Sequence, residues 1–264
     1  MSHQSSKIDI AVSGWAALAV LCCLPSPAQT VVKQASRIDV VGGIAKLHVA
    51  DARPLPAALF RLSELLGVQV GFEEARLQYP GDLVNLRLSG SVPPFYVPRG
   101  GPLDIDFPVS AATGLAIDPA DVIKRLLVEY HTQKYPGRYS FISQGGSGGY
   151  ILVFPESAAN EKGEFEKLEP ITRARITVRY RDGQNFTRVL SDALAGISEV
   201  SGKSLAYGDV PISKNEIKTW NLHLEAVDEP AFVFLNRIGS TTGHSFWRIV
   251  YDPWEKNYWI AFRH

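Results

Sequence analysis

Catalysis needs reactive side chains brought to one place, and this sequence offers few candidates. Four of its six histidines, His48, His131, His223 and His244, fall in segments patterned for folding. No two of them stand three or four residues apart, the spacing at which one helix turn presents a pair to a metal ion. His48 and His223 each sit between apolar neighbours on alternating stretches, so their rings are expected to face solvent. The run Gly145-Gly146-Ser147-Gly148-Gly149 has the outline of a phosphate loop or a nucleophile elbow. It lacks the Gly-Lys-Ser/Thr ending of the first, and no helical pattern follows it, so it reads as a hairpin loop. Glu64 and Glu199 could in principle act as acid and base, but each occupies an exposed helix position and nothing pairs them. The sequence therefore leads to the expectation of no catalytic residue, no metal and no cofactor.

Aromatic surface, in contrast, is abundant. Seven aromatic residues fall between positions 246 and 262. Alternation sets Trp247, Ile249 and Tyr251 on one face of a strand and Phe246, Arg248 and Val250 on the other. If helices cover only one face, part of this set is left for a partner, and Trp247, Tyr251, Trp254, Tyr258 and Trp259 are the candidates. Cross-strand packing is the competing use for the same rings. Arg263 and His264 read as a polar end. A second extended apolar run, Val-Pro-Pro-Phe-Tyr-Val-Pro within residues 79–102, contributes Phe95 and Tyr96. It could join a sheet edge or fill a groove on a partner, or pack over its own domain.

The chain has 264 residues, 45% of them apolar and 20% charged, as in ordinary globular proteins. Lys plus Arg, 27, balances Asp plus Glu, 27, which argues against a nucleic-acid binder. No apolar run reaches the roughly 18 residues of a membrane span. Residues 1–28 read as an export signal: an apolar stretch over 15–24, then Pro25, then small residues at Ser26 and Ala28. Cleavage after Ala28 would make the protein periplasmic or secreted, and peripheral to a membrane at most. Both cysteines, Cys22 and Cys23, lie in this segment, so the mature chain would hold no thiol. Lipid anchoring is disfavoured because neither cysteine follows a small residue.

Internal repetition organises the rest. Residues 58–72, ALFRLSELLGVQVGF, align without a gap to residues 193–207, ALAGISEVSGKSLAY, with Ala, Leu, Ser, Glu and Gly recurring. Residues 118–127, DPADVIKRLL, resemble 229–238, EPAFVFLNRI. The surplus between the two matches in the first copy coincides with the proline-rich stretch 79–102, an inserted loop.

In the first copy the pattern predicts a strand over 45–50. A helix follows with Pro56 in its first turn and Gly67 as its cap, then strands through Val70 and over 103–109. A second helix opens at Asp118, and strands cover 139–143 and 150–154. The second copy repeats this. It has a strand over 176–180, a helix capped by Asn185, and strands over 205–207 and through Trp220, Leu222, Leu224 and Ala226. A helix over 231–238 and a closing hairpin around Asp252-Pro253 complete it. The fold class is α+β: two tandem βαβ-βαββ units, each a small mixed sheet with two helices on one face. Their extents are 44–155 and 171–264, with 156–170 as a charged linker, partly helical.

The run LHVADARPLPAALFRLSELLGVQVGFE resembles the start of the secretin and TonB short N-terminal domain, with its short strand, Pro-Leu step, Leu-striped helix, Gly and Val-x-Phe strand. DPADVIKRLLVEY and the hairpin over 139–154 resemble its second half. The second copy departs from the pattern at the Pro-Leu step, where Gln184-Asn185-Phe186 stands instead. The resemblance implies an exported, non-enzymatic interaction module whose partner is a secretin, pilus or TonB-linked component of the bacterial envelope. Two other functions compete with it: a small periplasmic hydrolase with a site between the copies, and a glycan or peptidoglycan binder using the C-terminal aromatics.

Overall fold

A strand has two faces, and what covers each face decides the architecture. A computed structural model describes residues 36–86, 95–110, 118–145, 149–208 and 222–263, an α+β arrangement of strands in mixed sheets and four helices. The first half runs β1 (Ser36–Val41), β2 (Ile44–Asp51), α1 (Pro54–Leu66) and β3 (Gln69–Glu73). The short hairpin β4 (Leu83–Leu86) and β5 (Phe95–Pro98) follows, then β6 (Gly101–Pro108), α2 (Pro119–Thr132), β7 (Arg138–Gln144) and β8 (Tyr150–Ala159). After β9 (Phe165–Lys167) come β10 (Arg175–Val178), α3 (Phe186–Ser201), β11 (Leu205–Tyr207) and β12 (Ala226–Pro230). The chain closes with α4 (Ala231–Thr241), β13 (Phe246–Asp252) and β14 (Asn257–Arg263). The span 1–28 expected as an export signal, Trp220 and residues 146–148 of the glycine-rich loop lie outside the described residues.

Local chemistry sets the helix ends where the pattern places them. Pro54 and Pro56 occupy the first turn of α1, where a missing N–H costs no hydrogen bond. Gly67 and Gly202 end α1 and α3 in the left-handed conformation, at φ 62° and 65°. The Asp118 carboxylate accepts from Ala120 N–H at 2.8 Å, and the Asn185 side chain accepts from Arg188 N–H at 3.0 Å, capping α2 and α3.

The strand pairings follow one scheme twice. β2 pairs antiparallel with β6, as β10 does with β12. β3 lies parallel to β8, whose antiparallel neighbour is β7. Likewise β11 lies parallel to β14, whose antiparallel neighbour is β13. The halves do not keep separate sheets, however. β13 pairs in parallel with β3, giving one sheet in the order β11-β14-β13-β3-β8-β7.

This junction changes what the two faces meet. Val70, Phe72, Ile151 and Val153 point into a first core with α1 and α2. Leu152, Phe154, Trp247 and Ile249 point the opposite way, into a second core with α3 and α4. Neighbouring residues of β8 thus alternate between the cores. At Phe246 and Trp247 both faces of β13 are buried, so the expectation that helices cover only one face is corrected. The close approach depends on Gly71, because a Cβ there would fall inside the Trp247 indole.

Three further expectations change. A strand precedes the first one expected: β1 pairs with β2 across Gly42-Gly43, both left-handed, at φ 59° and 77°. Residues 156–170 are not a linker with helical character. β8 continues to Ala159, β9 folds back onto it, and a 3-10 turn over Ile171–Arg173 follows. The inserted stretch 79–102 contains the β4–β5 hairpin instead of loop alone.

Gly71→Ala should destabilise the protein by about 1–3 kcal/mol in chemical denaturation, the usual cost of overpacking a dense core. Trp247→Phe, which removes the ring atoms that a Cβ at position 71 meets, should recover part of that loss in the double variant. Strict additivity of the two substitutions would contradict the junction.

Candidate functional site

The second half places its own core against one face of β13 and β14. The other face carries Phe246, Arg248 and Val250 from β13 and Trp259, Ala261 and Arg263 from β14. Register sets Val250 opposite Trp259, Arg248 opposite the small Ala261, and Phe246 opposite Arg263. Only Phe246 is fully buried here, through its contact with Phe60 of α1 at 5.7 Å between ring centroids. The remainder is half-buried, a shallow ledge floored by strands and bordered by α1.

Cations converge on this ledge. The guanidinium groups of Arg61 and Arg263 both lie over the Phe60 ring, at 5.6 and 5.4 Å. Arg61 also donates to Glu64 at 3.0 Å, and Arg53 lies 3.4 Å from the buried Glu74. Arg248 and Arg263 have no carboxylate or hydrogen-bond partner among the described residues. Burial, and then the charges of Arg263 and Arg53, push the Arg248 pKa down to about 10, while Glu74 and Asp51 oppose that shift. A guanidinium can take a carboxylate in two-pronged fashion, and Trp259 and Val250 lie on the same face as Arg248 and Arg263. Sequence pattern alone gave Arg248 a face but no role, and Arg263, expected as a mere polar end, instead rests on Phe60.

The expected candidate residues divide sharply. Trp247, Tyr251 and Tyr258 are buried and belong to the second core, so they are corrected from contact residues to packing residues. The Trp247 indole N–H donates to the Asn236 side chain at 2.7 Å. Trp259 is half-buried on the ledge, and Trp254, at the hairpin tip, is 59% exposed. Tyr96 of β5 stacks on Trp254, with 6.4 Å between centroids and 16° between planes. The two stretches singled out separately in the sequence therefore meet. Phe95 lies in the same strand as Tyr96.

Two buried carboxylates, not singled out by the sequence, stand at the end of β3: Glu73 is its last residue and Glu74 follows it. Glu73 accepts from Ile171 N–H at 2.9 Å, Thr172 N–H at 3.0 Å and the Thr172 hydroxyl at 2.6 Å. Glu74 accepts from Tyr251 N–H at 2.9 Å. Adjacent strand residues diverge, so each carboxylate serves its own donors. Burial outweighs those donors and pushes the Glu73 pKa up to about 7. Burial also raises that of Glu74, against the pull of Arg53.

The histidines stay apart. His48 pairs with Asp104 on the outer face of the β1-β2-β6 sheet, and His223 is exposed against the Tyr180 ring. His131 accepts from Tyr139 N–H at 3.1 Å, and His244 contacts the Thr242 hydroxyl at 2.7 Å. Among the described residues no three His, Cys, Asp or Glu side chains form a metal-binding group. Among them, too, no helix is long and apolar enough to cross a membrane.

No protein-family model, curated protein or solved structure matches the chain.

Glu73 binds its proton more tightly folded, near 7, than at its ordinary 4.5. Its contribution to stability is therefore complete below about pH 4.5 and is lost as pH rises through 7, a change of at most ~3 kcal/mol. Urea denaturation at a series of pH values should show this decline in the native protein. The decline should flatten in Glu73→Gln, and equal slopes for the two proteins would contradict the assignment.

Proposed function

We propose that this protein is an exported, non-enzymatic interaction module of the bacterial envelope, built from two related units that resemble the secretin and TonB short N-terminal domain. Its partner would be a secretin, pilus or TonB-linked component, met in the periplasm. The observation that carries this reading is the ledge on β13 and β14. A sheet face that presents half-buried Trp259 and Val250 beside two unmatched guanidinium groups has the makeup of a docking surface with an apolar centre and charged anchors. The repeated order of elements supports the kinship of the two units. The Tyr96–Trp254 pair extends the apolar exposure to the hairpin tip.

The test is recovery of a partner from an envelope extract by the tagged full chain. Trp259→Ala combined with Arg263→Glu should reduce the recovered partner at least tenfold while the melting temperature stays within a few degrees of the parent. A truncated β4–β5 hairpin tip provides the comparison for the insertion. Full recovery by the ledge variant would overturn the docking role of this face.

A further inference from the structure

Among the described residues, β1 is an outer strand of the β1-β2-β6 sheet. It joins β2 through the two-residue turn Gly42-Gly43, so Val41 and Ile44 close the hairpin as a hydrogen-bonded pair. Pairs alternate from there, which turns the N–H and C=O groups of Ile38 and Val40 away from β2. Among the described residues no hydrogen bond reaches those groups. The side chains along this edge meet water: Val40 is 50% exposed and Val41 68%, and Arg37 and Asp39 are exposed too.

Edges of this kind are commonly protected by a bulge, a proline or charge of a single sign. β1 pairs with β2 over all six residues without a bulge, and it holds no proline. Its two charges are opposite: Arg37 and Asp39 flank Ile38 and lie 3.4 Å apart. Read backwards, Arg-Ile-Asp becomes Asp-Ile-Arg, its own charge complement. When a second β1 runs antiparallel with Ile38 opposite Ile38, Arg37 stands opposite Asp39 on both sides of the centre. Sliding by one step of the hydrogen-bond pattern sets Asp39 against Asp39 in one direction and Arg37 against Arg37 in the other. The outward backbone groups agree with the favoured register, which brings Ile38 to Ile38 and Ser36 to Val40.

Shape beside the edge agrees as well. Val40 stands opposite Ala45 of β2 and Ile38 opposite Leu47, so both face the side on which α1 packs. Between α1 and the start of β1 lies a groove of about 440 Å³, lined by Ser36, Ile38, Arg61, Glu64 and Leu65. In the favoured register Val40 of the second copy lies opposite Ser36, on the same face, and enters this groove. The same contact made in reverse places Val40 of the first copy in the groove of the second.

We propose that the occupant of this edge is a second copy of the chain: two β1 strands pair antiparallel about Ile38 and join two three-stranded sheets into one of six strands. The contact is two-fold, the same patch meeting itself, so it closes at the dimer. It goes beyond the partner docking above and uses a different surface.

The test uses the full chain, whose average mass in sedimentation should rise with concentration from one chain to two and stop there. Arg37→Asp makes both flanking positions acidic and Asp39→Arg makes both basic, so each variant alone should dimerise at least tenfold more weakly than the parent. An equimolar mixture of the two restores opposite charges across the axis while leaving like charges within each strand, and it should recover the dimer mass. For crosslinking, Cys22 and Cys23 are replaced by Ser, which removes every native thiol, and Arg37→Cys and Asp39→Cys are made in separate chains. The favoured register holds these two positions about 4.5 Å apart at Cα, within disulfide reach. Mild oxidation should crosslink the mixture and leave each variant alone uncrosslinked. A parent that stays monomeric throughout, a mixture of charge variants that does not recover, or crosslinks as strong within one variant as in the mixture would overturn the proposal. The first is also the outcome expected if the residues that precede β1, or a foreign strand, take the edge instead.

Discussion

The parallel pairing of β3 with β13 is the contact on which the arrangement of the molecule depends. Without it, each half would need its own small sheet with one face left to water. With it, a strand's two-residue alternation serves two cores at once, because one face of the shared sheet meets α1 and α2 and the other meets α3 and α4. Almost every position near β3 is used for this. Gln69 donates to Asn236 O and accepts from the Ser240 hydroxyl, both in α4, each at 2.8 Å. Gly71 admits the Trp247 ring, Phe72 fills the first core, and Glu73 and Glu74 bond backbone N–H groups of the second half.

The junction brings charge into the interior, and the charges are treated unequally. Glu73 loses water but gains three donors from one turn, Ile171–Arg173, so its carboxylate ties the two halves whether or not it is ionised. Arg248, nearby on the opposite face of β13, loses water and gains no such set. A buried pair can be neutral for stability, whereas the half-buried Arg248, without an ion pair but attracted by Glu74 and Asp51, gives up part of its hydration at a cost that packing elsewhere must offset. That difference separates Glu73, which ties the two halves, from Arg248, which has no ion pair among the described residues.

The same geometry shapes the surfaces left for recognition. Among the described residues α1 covers this face only as far as Phe246, the rest of the β13–β14 face is half-buried, and the aromatic side chains there are few. A flat aromatic platform is not what the hairpin presents. It offers one half-buried indole on the ledge and one exposed indole stacked on Tyr96 at the tip. The surface is better suited to a mixed apolar and anionic partner than to a ring-by-ring contact.

Much of the local structure was legible in the sequence, because its causes are local. Apolar spacing marked the four helices of the described residues, and Gly67, Asp118, Asn185 and Gly202 ended or capped three of them as their backbone preferences require. The repeat at 58–72 and 193–207 foretold two equivalent helix–glycine–strand pieces. For β1 the local signal is the Gly42-Gly43 pair between two alternating stretches. What no single-chain pattern could decide was which strands become neighbours across the halves. Alternation assigns side chains to two faces but does not say what lies over either, so Trp247 and Tyr251 read equally well as surface or core until β13 is set beside β3. The convergence of Arg53, Arg61, Arg248 and Arg263 near α1 belongs to the same class, since residues so far apart in the chain meet only through tertiary packing.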